Sequence, residues 1–258
     1  MAAAGPSFLG IGAQKAGTTW LHRMLSRHPD VGMPEQKELH FWDRETPDAA
    51  AVASYMDRFA GLRGKARGEI TPSYAILPPE RIAVLRGYLP DLRLIYILRD
   101  PVERAWSHAK MDLGKHLRRH KQLPPDMDAW LEAHFRSEES LQRGDYATCL
   151  ANWGQHYGRD QLQVSIYEEV FAAPRDFLKA CAVHLGVDPG FYDGVQAVEL
   201  ADSVYPEGEV IKTSRQELPP ETRGRHAALL LELYAPLIER LSSLLGRDLS
   251  SIWARPQA

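Results

Sequence analysis

The chain has 258 residues, 44% of them hydrophobic and 25% charged, with a formal net charge of −3 at pH 7. That size suits one α/β domain with a full core, at most with a small helical elaboration. The weakly acidic balance argues against a general nucleic-acid or anionic-membrane binder, so any anion site must be built from local lysines and arginines.

Two cysteines, Cys149 and Cys181, cannot make a disulfide framework and read as free thiols of a reducing compartment. The start, MAAAGPSFLGIGA, lacks a basic region ahead of an apolar run, and no window is long enough to span a bilayer. The expectation is a cytoplasmic protein with no stable membrane insertion. The sequence leaves the oligomeric state open.

FLGIGA (8–13) is a short apolar run ending in glycine, the pattern of a buried parallel strand. Trp20, Leu21, Met24 and Leu25 then follow at helical spacing, which predicts a helix from about Gly17 to HPD at 28–30. KELHFWD (37–43) reads as extended, residues 51–61 as a helix, and KARGEI (65–70) as a strand. PPERIAVLRGYLP (78–90) opens on proline and carries an apolar stripe, as a helix does. LRLIYIL (92–98) is the clearest strand, and it runs directly into a helix after Pro101. The basic and proline-bearing stretch 115–126 reads as a polar loop, with helices at 126–139 and 145–157, a strand at 161–167 and a helix at 174–185. Residues 201–224 read as a long loop. The closing helix carries Leu230, Leu233, Leu237, Leu241 and Leu244, a stripe that suits core better than a dimer seam. Alternating strands and helices imply an α/β fold, a central parallel sheet flanked by helices, with ligands at the carboxyl ends of the strands.

GAQKAGTTW (12–20) lies in the strand–turn–helix setting of a phosphate loop. Gly12 and Gly17 keep the glycine spacing of G-x-x-x-x-G-K-[ST], and Thr19 keeps the hydroxyl, but Thr18 holds the lysine slot and Lys15 sits inside the loop. Backbone N–H groups and the positive helix end would still face an anion. A triphosphate enzyme needs the post-glycine lysine and a metal-binding acid at a strand end. Here Arg99 ends the strongest strand, with Asp100 behind it. Arg99 and Ser107, eight residues apart, suit a grip on one more phosphate; an Arg99 bridge to Asp100 or Glu103 is the structural alternative.

K-x-G-T-T after the first strand, with R-D-P-x-x-R-x-x-S after a later one, resembles the cytosolic and Golgi sulfotransferases, which use 3′-phosphoadenosine 5′-phosphosulfate (PAPS). HPDV (28–31), KELHFWD (37–43), G-E-x-T-P-S-Y (68–74) and G-R-D-L-x-x-x-W (246–253) are similar to the heparan sulfate sulfotransferases and their bacterial relatives. The resemblance runs from residue 8 to 253. It implies a P-loop-type three-layer fold in a single sulfotransferase domain over 1–258, with no metal required. It implies a 5′-phosphosulfate site at Lys15, Ala16, Gly17, Thr18, Thr19 and Trp20, and a 3′-phosphate site at Arg99 and Ser107. Glu38 aligns with the general base, and His40 and Asp43 with residues lining the same acceptor site. The late loop that covers the 3′-phosphate has no clean copy, which leaves Lys212, Arg215 and Arg225 as candidates. At the x of GE-x-TP, where the heparan sulfate branch carries lysine, this chain has Ile70, which implies a less anionic acceptor. The disulfide common near the late loop in Golgi members cannot form here.

Sulfuryl transfer to a hydroxyl needs a base in line with the breaking S–O bond, and a positioned carboxylate supplies about 10²–10⁴-fold. In an extended segment Glu38 and His40 would point the same way. A surface Glu38 paired with Lys37, and His108 as base, are the competing readings. The expected reaction is direct in-line transfer from PAPS to a hydroxyl of a glycan, lipid or small-molecule acceptor, with Lys15 neutralising the leaving phosphate and no nucleic-acid partner. A P-loop kinase of a small metabolite and a non-catalytic nucleotide module are the alternatives. Trp42, Trp106, Trp130 and Tyr146 are candidates for an acceptor pocket or for core, and Lys115, Arg118, Arg119 and Lys121 for an acidic-acceptor surface or a solvated face.

Overall fold

A computed structural model describes residues 5–44, 46–201 and 220–254. In chain order its elements are β1 (Phe8–Gly12), α1 (Thr18–Ser26), β2 (Val31–Gly32), α2 (Ala49–Ala60), β3 (Ala66–Ile70), α3 (Pro79–Tyr88), β4 (Arg93–Leu98), α4 (Pro101–His120), α5 (Met127–Arg136), α6 (Glu138–Gln142), α7 (Tyr146–Gly154), β5 (Leu162–Ile166), α8 (Tyr167–Ala172), α9 (Pro174–Leu185), α10 (Ala197–Ala201), α11 (Pro220–Leu245) and α12 (Leu249–Ile252). Two units divide the chain, Met1–Leu98 with Cys149–Val204 and Arg99–Thr148 with Tyr205–Ala258.

The first unit holds the whole sheet, in the order β2-β3-β1-β4-β5 with every pairing parallel. All five residues of β1 are buried, as are the last five of β4. That accounts for their unbroken apolar runs, since a parallel strand is covered on both faces. Leu9 lies in register with Glu69 and Gly10 with Ile70, and the Thr71 amide donates to Gly10 O at 3.0 Å. The loops after β1 and β3 therefore leave the same carboxyl edge side by side.

Gly10 is required by packing. A Cβ there would meet Ile70 Cγ1 at 2.6 Å and Cγ2 at 3.0 Å. Ile70 is fully buried, so the x of G-E-x-T-P is filled here by an apolar side chain pressed on the neighbouring strand.

The described residues of the second unit build helices. Val102, Ala105, Trp106 and Ala109 of α4, Leu131 and Phe135 of α5, and Leu230 and Tyr234 of α11 form one buried cluster, with Leu233 and Leu237 packed against it. Leu241 is buried too, whereas Leu244 is exposed. Arg104, the second arginine of R-D-P-x-x-R, is buried beside this core and donates to Ser140 O at 2.9 Å and Ser140 Oγ at 3.2 Å.

Several expectations change. KELHFWD is irregular, not extended, because Glu38 and His40 take left-handed backbone (φ 63° and 50°) that no strand accommodates. Residues 115–120 continue α4: no glycine or proline interrupts them, and Arg118, Arg119 and His120 lie in the last turn, where cations favour the helix dipole. The stretch 126–139 splits at Ser137, which caps α6 by accepting from the Ser140 amide. The closing helix begins at Pro220, inside the stretch 201–224 read as loop; 202–219 lie outside the described residues. α8 follows β5 without a glycine or proline to announce it.

Gly10→Ala is expected to destabilise by about 1–3 kcal/mol through overpacking. In a double-mutant cycle with Ile70→Ala, read by urea unfolding, the double variant should lose less than the sum of the singles; strict additivity would remove this contact as the cause.

Candidate functional site

Gly17 caps α1 with φ 76°, a left-handed conformation that favours glycine, and a Cβ there would strike Phe171 at 2.9 Å. No side chain caps the α1 N-terminus and no acidic residue lies in its first turn. Its leading amides, from Thr18 on, therefore have no intrahelical partner and present a positive end suited to an anion. Lys15 precedes the cap and itself takes left-handed backbone, φ 70°. Ala16 and Thr18 are buried, Thr19 is exposed and Lys15 is half-buried. Trp20 is a core residue: its ring packs on Phe171 (centroids 5.0 Å apart) and Phe177 (6.1 Å), and its indole donates to Leu200 O at 3.2 Å. A cleft of about 670 Å³ lined by Tyr167, Phe171, Pro174, Arg175, Ala197 and Leu200 opens on the Phe171 side; nothing in the sequence periodicity marks it.

The second group at the carboxyl edge is organised by Glu69, the last-but-one residue of β3. Glu69 is 2% exposed. It accepts from Thr71 Oγ1 at 2.6 Å, Tyr74 OH at 2.8 Å, Tyr55 OH at 3.0 Å and the Leu39 amide at 3.2 Å. Tyr74 OH in turn accepts from the Phe41 amide at 3.0 Å. Arg81 of α3 donates to Trp42 O at 3.2 Å and Arg44 O at 2.7 Å. An irregular segment must satisfy its backbone groups somewhere, and residues 39–44 do so on these three side chains. G-E-x-T-P-S-Y is thus the sequence of a scaffold. Sequence reasoning quoted the motif without assigning Glu69, because a buried carboxylate and an exposed one look alike in sequence.

Fixing Leu39 between them sets Glu38 and His40 on either side. His40 Nδ1 and Asp43 Oδ2 are 2.7 Å apart, and His40 Nε2 lies 3.5 Å from Glu38 Oε2. Lys37 Nζ pairs with Glu38 Oε1, so the surface pair weighed from the sequence is present, while the second carboxylate oxygen faces His40. Glu38 and His40 side chains are each 36% exposed, Asp43 16%. His22 of α1 ties this segment to the phosphate-loop helix. Its pKa is lowered by burial first and then by the Lys37 ammonium, with Glu38 and the Pro34 backbone opposing.

In the second unit, Arg99 is half-buried and its carbonyl accepts from Tyr146 OH at 2.9 Å. Asp100 caps α4 through Val102 N, 2.9 Å, and Glu103 pairs with Arg223. Ser107 is half-buried on α4. Lys212 and Arg215 lie outside the described residues, and Arg225 pairs with Asp128 at 3.0 Å. His108 is buried against Asp112 Oδ2 at 3.2 Å, which unfits it as an exposed base. Trp42, Trp106 and Tyr146 are core, and Trp130 is half-buried, stacked on His134. Among the described residues, His108, Asp112 and His134 are the group spaced to hold a metal ion.

Comparison with known proteins places the chain among relatives of one kind. A family model described as the sulfotransferase domain matches residues 6–198. Heparan sulfate glucosamine 3-O-sulfotransferase 3B1 of Mus musculus is 28% identical over 264 residues, covering 94% of this chain and 64% of that protein. Heparan sulfate glucosamine 3-O-sulfotransferase 6 of Homo sapiens is 38% identical over 163 residues, 59% of this chain and 44% of that protein. The chain thus spans less than two thirds of the length of these relatives. A crystal structure of a sulfotransferase from Alicyclobacillus acidocaldarius is 28% identical with a TM-score of 0.68, covering 98% of this chain and 100% of that one.

Burial raises the Glu69 pKa, against the hydrogen bonds from Thr71, Tyr74, the Leu39 amide and Tyr55 that lower it. A folded value above the unfolded one means that the folded state holds the proton more tightly. The associated stability is complete below the unfolded value of about 4.3 and is lost as pH rises through the folded value. The stability of the wild type minus that of Glu69→Gln should therefore fall with rising pH across this window and level off above it. Urea unfolding at a series of pH values reads it, and a difference that grows with pH would contradict the assignment.

Proposed function

The chain belongs to the sulfotransferase domain family, and from that premise we propose that it is a PAPS-dependent O-sulfotransferase. We read 1–258 as one sulfotransferase domain, with the matched region running through residues of both units. The observation that carries the reading is the arrangement at Glu38: a half-exposed carboxylate, 3.5 Å from an imidazole that is itself anchored to Asp43, on a segment pinned by Glu69.

Lys15, Ala16, Gly17, Thr18, Thr19 and Trp20 bind the 5′-phosphosulfate. The amides of the α1 turn face its anionic oxygens, and Trp20 contributes through its backbone because its ring is committed to the core. Arg99 and Ser107 take the 3′-phosphate, with Tyr146 setting the Arg99 backbone; Lys212 and Arg215 remain candidates for its cover. Glu38 removes the acceptor hydroxyl proton as the oxygen attacks sulfur. The bond from sulfur to the 5′-phosphate oxygen breaks, and Lys15 neutralises the charge left on that oxygen, a stabilisation realised mainly in the transition state. His40 shares the proton gained by Glu38, and Asp43 fixes the ring. The sulfuryl group passes directly, with no covalent relay and no metal in the reaction.

The acceptor is a hydroxyl of a glycan, lipid or small molecule. Ile70, buried where the heparan sulfate pattern has lysine, removes a cation and favours a less anionic acceptor. The cytoplasm fits both cysteines, which are buried thiols, with burial pushing Cys181 up to about 12.

Adenosine 3′,5′-bisphosphate should raise the melting temperature, since a ligand bound by the folded state stabilises it; stabilisation by ATP–Mg²⁺ alone would overturn the donor assignment. Glu38→Gln is expected to keep that shift while losing about 10²–10⁴-fold in turnover with labelled PAPS. Lys15→Ala should lower both nucleotide affinity and rate, the rate by about 10²–10³-fold, and an unaffected variant would remove it from the loop.

A further inference from the structure

His108, Asp112 and His134 form a cluster that sulfuryl transfer does not use. His108 and Asp112 stand four residues apart on α4, hence on one face, and His134 comes from α5. Asp112 Oδ2 lies 3.2 Å from His108 Nε2 and 3.8 Å from His134 Nδ1, and the three ligand atoms fall within 4.8 Å of one another. Two donors bound to one zinc ion at about 2.0–2.2 Å in tetrahedral geometry sit roughly 3.3–3.5 Å apart. The two pairs made by Asp112, at 3.2 and 3.8 Å, bracket that scale, and the three atoms, within 4.8 Å of one another, would close up on the ion.

Hydrogen bonding alone accounts poorly for it. At 3.8 Å, His134 Nδ1 is beyond hydrogen-bond reach of the carboxylate, and its Nε2 is buried without a partner, as is Nδ1 of His108. An imidazole only 10% exposed thus has neither nitrogen hydrogen-bonded, although one of them points at a carboxylate oxygen. Lys115 holds Oδ1 of Asp112 at 2.7 Å, leaving Oδ2 toward both rings, and the Lys115 side chain is 56% exposed and can release to water. His108 is 2% exposed and Asp112 26%, so access is from the Asp112 side.

We propose that His108 Nε2, His134 Nδ1 and Asp112 Oδ2 bind one borderline divalent transition ion of the zinc or cobalt type, which joins α4 to α5. Two imidazoles and one carboxylate select such ions over magnesium and calcium, whose ligands are oxygens. Water fills the remaining position. Three protein ligands and one water make this an open site, and the ion takes no part in the proposed sulfuryl transfer.

Tag-free protein stripped with a chelator is titrated with Co²⁺, following its visible d–d absorption, and with Zn²⁺ in equilibrium dialysis read by elemental analysis. One ion per chain is expected. His134→Gln and Asp112→Asn should each weaken binding by more than about 100-fold, since even outer partners of metal ligands cost 10–100-fold. His116→Gln, on the same helix, should leave it unchanged. Circular dichroism melting of each variant without metal checks that the fold persists. A wild type that takes up neither ion, or variants that are folded and bind as the wild type does, would overturn the proposal. A His116→Gln variant that loses the ion would place it elsewhere and overturn it equally.

Discussion

One buried carboxylate organises the chemistry-bearing edge of the sheet. Glu69, one residue before the end of β3, lies inside the protein and gathers two tyrosines, a threonine hydroxyl and the Leu39 amide around its oxygens. Desolvating a carboxylate is costly unless its lone pairs are used, and here four donors use them. The same bonds decide the course of the chain from 37 to 44, which has no strand or helix of its own. Left-handed backbone at Glu38 and His40 is disfavoured for residues with a Cβ. It persists because Leu39 N, Phe41 N and the carbonyls of Trp42 and Arg44 are held from outside the segment.

The phosphate loop follows the same logic by other means. Lys15 and Gly17 are both left-handed, so the turn presents amides, and Phe171 closes against the glycine so that no side chain fits there. The lysine lies inside the loop rather than after it. In the proposed reaction, where the reacting bond is at the 5′-phosphate, that position would let the cation meet the developing charge. His22 extends from the helix that follows this loop to within electrostatic range of Lys37 and Glu38, which links that helix to the segment carrying Glu38 within one unit.

Much of this was legible beforehand. Runs such as LRLIYIL announce buried parallel strands because both faces are covered, and the G-x-x-x-x-G frame announces the strand, turn and helix that β1 and α1 form, with left-handed backbone at its second glycine. The extended reading failed at KELHFWD, where the conformation is imposed by Glu69, Tyr74 and Arg81, all distant in sequence. Charge misled at 115–120, where basic residues that look like a loop complete α4. Tyr146, weighed as a pocket wall, instead hydrogen-bonds the carbonyl of Arg99, a role that only the fold reveals. Glu69 itself was invisible as a hub, since its partners come from α2, the turn after β3 and the segment before α2.

Amide hydrogen exchange in Glu69→Gln compared with the wild type tests this dependence most directly. If Glu69 holds the segment from 37 to 44, protection at Leu39, Phe41 and Trp42 falls by about tenfold or more, equivalent to the loss of roughly one hydrogen bond. The amides of β4 should keep theirs. Unchanged protection at Leu39, or an equal loss throughout both stretches, would contradict the account.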